Sequence, residues 1–151
     1  MTLHLSTHFS LDELCASGIA ERLGIDNTPP APAVASLRRL ADVLEQVRAL
    51  VNAPIKINSG YRCLEVNRVL RSKDSSAHVA GLAADFIAPR FGTPLQVCEE
   101  IDRSDIEFDQ LIYEFAGWVH LGLKPEGVQP RRELLTIDRQ GTRGGLLAAR
   151  T

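Results

Sequence analysis

The chain has four histidines, and two of them sit in the segments that most restrict how it can fold. Ser76-Ala-His78-Val-Ala-Gly81-Leu-Ala83-Ala-Asp85 sets an imidazole and a carboxylate close together, and Trp118-Val-His120 supplies a second imidazole much later. Two imidazoles and one carboxylate form a ligand set that zinc uses in hydrolytic sites, with a fourth position open to water. The central expectation is that His78, Asp85 and His120 bind one Zn²⁺, so the fold must bring these distant segments together. The plain alternative is that Asp85 caps a turn and both histidines are ordinary half-buried side chains, because a single His says little. His4 and His8 stand apart near the N-terminus, and His8 reads as a surface or packing residue.

The neighbours of the three residues suit a site. Gly81, Ala83 and Ala84 are small, so backbone can pack closely there. Asp85-Phe-Ile and Trp118-Val-His120-Leu-Gly-Leu are short apolar runs that read as strands. Rigid strands are good places from which to hold ligands.

Taken together, Ser76-x-His78-x-x-Gly81-x-Ala83-x-Asp85, the preceding Ser59-Gly60-Tyr61-Arg62 and the following Trp118-Val-His120 resemble the zinc D-Ala-D-Ala carboxypeptidase family. That family includes VanX-type dipeptidases and phage L-alanyl-D-glutamate endopeptidases and, more distantly, the hedgehog and lysostaphin folds. The motifs span Ser59 to His120 in the family's order, and a looser pattern runs from Phe9 to about Ile137. The resemblance implies an α+β domain, a small mostly antiparallel sheet flanked by helices, with one Zn²⁺ per chain in a surface cleft. It implies hydrolysis of peptide bonds in peptidoglycan stem peptides, by carboxypeptidase or wall endopeptidase action. A phage lysis role is consistent with it. Arg62, at the end of a strand, is expected to bind a peptide carboxylate or the developing oxyanion. Ser76 is expected either to contact substrate or to brace the metal site, and a turn serine without chemistry fits equally well. Asn67 reads as structural.

The chain departs from the family at one place that matters. A zinc hydrolase needs a carboxylate to move protons between water and the leaving amine. Many relatives carry it three residues before the last His, where this chain has Gly117. Glu114 is the nearest candidate for the base, and Asp109 is the reserve. The outcome depends on a hairpin around Ala116-Gly117. A three-residue loop, Ala116 to Trp118, would pair Glu114 with His120. A two-residue loop would pair Tyr113 with His120 and turn Glu114 to the other face. The missing acid at Gly117 also keeps a rival open, a non-catalytic zinc-stabilised module that binds cell wall or a protein partner.

Composition bounds the rest. A chain of 151 residues with 44% hydrophobic and 24% charged residues suits one globular domain, with a core from about 9 to 137 and a loosely ordered tail from 141 to 151. The net charge of −2 leaves no basic footprint for nucleic acid. Three cysteines, Cys15, Cys63 and Cys98, form no C-x-x-C pair and read as reduced thiols. No signal-peptide pattern and no apolar run of membrane length stand out, so a monomer that stays in the cytoplasm until separately released is expected.

Local patterns set out the elements. Ser10-Leu-Asp-Glu13 is a capping-box pattern with Phe9 as staple, and a short helix should follow. Asn27 to Pro32 reads as a stiff connector. Leu37, Leu40, Leu44, Val47 and Val51 fall on one face of a helix from about 33 to 51. A strand over 54–58, a helix over 63–70, a polar loop over 71–76, a strand over 83–87, a helix opening at Thr93-Pro94 and a last strand over 131–137 complete the expectation. Trp118 is expected either to line the cleft or to pack under the hairpin, the second being favoured.

Overall fold

Ser10 caps the first helix, α1 (Leu11–Cys15), its Oγ accepting from the Glu13 amide at 3.1 Å, and Phe9 just before it is buried as a staple. The computed structural model describes residues 2–147. After α2 (Gly18–Leu23) comes the longest element, α3 (Ala31–Val51). It starts at the end of the expected connector because Pro30 and Pro32 suit a helix N-terminus, where a missing N–H leaves nothing unpaired. Its expected stripe is the buried one: Leu37, Leu40, Leu44 and Val47 are wholly covered.

β1 (Lys56–Ser59), α4 (Leu64–Val69) and a 3₁₀ turn (Ala77–Ala80) lead to β2 (Ala83–Ile87). α5 (Pro94–Arg103) opens on a complete capping box between Thr93 and Gln96. Strands β3 (Gln110–Glu114), β4 (Trp118–Gly122), β5 (Glu133–Asp138) and β6 (Gly141–Gly144) follow. The strands form one six-stranded sheet in the order β1-β2-β4-β3-β5-β6. Every neighbouring pair is antiparallel except β3 with β5, so the fold is α+β with a mostly antiparallel sheet.

Strand alternation sends Ala84, Phe86, Leu111, Val119 and Leu121 into a single apolar cluster with α3 and with Val97, Cys98 and Ile101 of α5. Asp85 and His120 therefore point to the other face of the same central strands. α3 and α5 cover one face, and the site is built on the opposite one.

Two expectations need correction. The tail from 141 is ordered where it is described: Gly141–Gly144 pairs with β5, from Asp138 with Gly141 to Leu135 with Gly144. Glycines and the tight turn after Asp138 permit that short edge strand, and 148–151 lie outside the described residues. Neither expected hairpin register is adopted. The loop is Phe115-Ala116-Gly117, and Glu114 pairs with Trp118 while Ile112 pairs with His120. Phe115 and Ala116 take left-handed φ values of 51° and 53°, and the Gly117 amide donates to the Glu114 carbonyl at 2.9 Å. That turn matches the twist of a hairpin, although its usual residues are Asn and Gly. Glu114 and His120 thus share a face but stand diagonally rather than directly opposite.

Candidate metal centre

The site is assembled from three pieces of backbone. Asp85 and His120 are direct partners across β2 and β4, so one register contact places the carboxylate and one imidazole side by side. His78 comes from the 3₁₀ turn, which Ser76 caps by accepting from the His78 amide at 3.3 Å. Gly81 ends that turn at φ 73°, where a Cβ would lie 2.6 Å from the Ala33 carbonyl oxygen of α3. Only glycine lets the turn sit this close to the helix.

Donor atoms of His78, Asp85 and His120 all lie within 4.8 Å of one another, and all three residues are buried. His120 Nδ1 is 2.9 Å and His78 Nε2 is 3.4 Å from the same oxygen, Asp85 Oδ1. The other His78 nitrogen, Nδ1, meets the Gly60 carbonyl at 2.7 Å. That contact makes Nδ1 the donor and leaves a lone pair on Nε2. Burial pushes the His78 imidazole below its ordinary value, despite the Asp85 carboxylate beside it. A lone pair on Nε2 then faces a carboxylate oxygen, an arrangement that a shared cation relieves. Burial would also raise the Asp85 carboxyl, but contacts with His120 and His78 outweigh it and hold the group well below the usual carboxylate range. Neutral imidazoles and an ionised carboxylate are the forms that bind metal, so the donor set fits a Zn²⁺.

Arg62 closes the site behind Asp85. Its Nη2 donates to Asp85 Oδ2 at 3.3 Å, Nε to Ser59 Oγ at 3.1 Å and Nη1 to Asn67 Oδ1 at 3.5 Å. Its backbone amide donates to the His78 carbonyl at 3.1 Å. Asn67 is fully buried and donates to the Lys73 carbonyl at 2.8 Å, tying Arg62 to the loop before His78. Gly60 is fixed by close approach: a Cβ there would meet the Leu14 carbonyl oxygen at 2.2 Å.

Glu114 Oε1 lies 3.8 Å from His120 Nδ1. Burial, then the Asp85 charge, raises its carboxyl above the ordinary value, with His120 and Arg62 opposing. Trp118 tilts against Phe115 at 5.7 Å between ring centres, and its pairing with Glu114 puts it on the face that carries His120. Asp109 is committed elsewhere, held by Arg131 at 3.0 and 2.8 Å. His8 pairs with Glu45 of α3 at 2.9 Å, away from the site.

Two positioning groups were not legible as such in the sequence. Ser59 steers the Arg62 guanidinium. Asn27, in the expected connector, donates to the carbonyls of Cys15 and Tyr61 at 2.8 and 3.2 Å and accepts from the Cys63 amide at 2.7 Å. It clamps the backbone on both sides of Arg62. Its partners are main-chain atoms from two other segments, so no local pattern marks it.

A family model described as peptidase M15 matches residues 7–122, from just before α1 to the end of β4. The match includes all three candidate ligands, Arg62 and Glu114, and excludes β5 and β6. Among curated proteins, none matches the chain.

Proposed function

The chain belongs to the peptidase M15 family, whose members are zinc-dependent, and from that premise we propose that it is a zinc peptidase acting on peptidoglycan stem peptides. His78, Asp85 and His120 would hold the ion. Bound there, zinc would lower the pKa of a water molecule and polarise the scissile carbonyl. The observation that carries this reading is the convergence of three buried donor side chains, with a second carboxylate, Glu114, just beyond His120.

Glu114 is assigned as general base. It shares a face with His120, and its raised pKa suits a group that takes a proton from water and returns it to the leaving amine. Arg62 keeps its charge in spite of burial, because a guanidinium is protonated at any ordinary pH. Its N–H groups not bound to Ser59, Asn67 and Asp85 are assigned to the peptide carboxylate or the oxyanion. Ser76 lines the cleft that opens onto His120 and is assigned a substrate contact in addition to its capping bond to the His78 amide. The enzyme is proposed to act as a monomer. No helix of the described residues is long and apolar enough to cross a membrane.

Gly117, where many relatives carry the acid, favours a second reading, a zinc-stabilised module that binds cell wall without cleaving it. Purified peptidoglycan treated with the protein, with and without zinc, and analysed by mass separates the two. Zinc-dependent release of D-alanine or a defined stem fragment supports the peptidase and names the bond. No release from several wall types, by protein carrying one zinc, supports the module.

A further inference from the structure

The cleft that opens onto His120 continues past the residues that the family model matches. It encloses about 790 Å³ and runs over β5 and β6, beyond residue 122. Its floor there follows from strand register. Ile112 is paired with His120 on one side and Leu135 on the other, so the three side chains form one row on the same face. Ile137 stands beside Leu135 on that face, and both are only half-buried. Across from Leu135 is Gly144 of β6, where a Cβ would meet nothing within 4 Å, so the row ends in open space. The lining includes three cations, Lys73, Lys124 and Arg131, against one carboxylate, Asp109. Arg131 is bound to Asp109 and Lys124 lies 3.9 Å from it, whereas exposed Lys73 has no ion pair among the described residues.

We propose that this row is a substrate subsite for a peptide that continues well beyond the scissile bond. It takes an aliphatic group on Leu135 and Ile137, with a carboxylate of the same peptide near Lys73. Two strand spacings separate Leu135 from His120, about 10 Å, which is about three residues of extended peptide. A dipeptide cannot reach it. The proposal rests on the peptidase reading and deepens it, because it makes a longer stem peptide the preferred substrate.

The test uses zinc-loaded full-length protein with a dipeptide and with a longer stem-type peptide that carries an aliphatic residue and a carboxylate. Wild type is expected to prefer the longer peptide in kcat/KM. Leu135→Ser should cut that preference about tenfold, mainly through KM, as loss of one buried aliphatic contact requires. Lys73→Glu, on an exposed loop and therefore safe for folding, should cut it only for the peptide with the carboxylate. Calorimetry with uncleaved long peptide on the Glu114→Ala protein gives a second readout, and binding should weaken about tenfold when Leu135→Ser is added. An equal preference in wild type and both variants overturns the subsite. Cleavage of neither peptide by wild type overturns the peptidase reading itself, a separate result.

Discussion

Asp85 uses both carboxylate oxygens inside the site, Oδ1 toward the two imidazoles and Oδ2 toward Arg62. Glu114 has no ion pair this short among the described residues, its distance to His120 Nδ1 being 3.8 Å, and that difference separates the roles proposed for the two carboxylates. Replacing Glu114 by Ala should lower peptide hydrolysis by about 10²- to 10⁴-fold with zinc content and wall binding intact. Unchanged activity in that variant would remove Glu114 as the base. The pH profile carries the same assignment. A base must be ionised, so the rate should fall as pH drops through the raised Glu114 value, above the ordinary glutamate range. Glu114→Gln should lose that acid limb, which steady-state rates across pH will show. Asn27→Ala leaves the Cys63 amide without its partner and should cost about 1–3 kcal/mol of stability, read by denaturant unfolding. It should also lower kcat more than Arg62-independent substrate binding, since it loosens the backbone that carries the guanidinium. The candidate ligands were legible because their motif places imidazole and carboxylate at readable spacing. The position of Glu114 was not, because it depends on left-handed φ values at Phe115 and Ala116, which neither residue type signals.

Among the elements, α3 was readable because its apolar positions recur at helical spacing, and that face is the one buried. β6 was unreadable for the converse reason. Gly-Thr-Arg-Gly has no apolar alternation, and the strand exists only because β5 offers an edge to pair with. The 3₁₀ turn is the element on which the site leans most. It joins α3 through Gly81 and carries His78. Gly81→Ala meets both a left-handed φ and the Ala33 carbonyl. It should destabilise the protein by about 1–3 kcal/mol and lower zinc affinity with it, measured by thermal unfolding and metal titration. Unfolding of Gly81→Ala indistinguishable from wild type would show that α3 can yield at its first turns. Thr93→Ala, at the capping box of α5 on the helical layer, should cost about 1 kcal/mol without changing catalysis.

For the molecule as a whole, sheet and helices divide the labour between two faces. One face is an apolar layer with α3 and α5, and the other carries polar chemistry on the same strands. Metal removal by a chelator should therefore abolish hydrolysis but leave the secondary structure, with the melting temperature lowered and rising again with the logarithm of free zinc; activity assays check the first, and circular dichroism the structure and the melting temperature. The direct partnership of Asp85 and His120 carries a further consequence. If β4 slipped by one residue against β2, His120 would turn into the apolar layer and Val119 or Leu121 would face the carboxylate. A chain so mispaired would have no third ligand to offer. Under the zinc reading, the ion then proofreads the fold: it is retained only by molecules whose central strands are in register, and metal content per chain becomes a measure of folding fidelity.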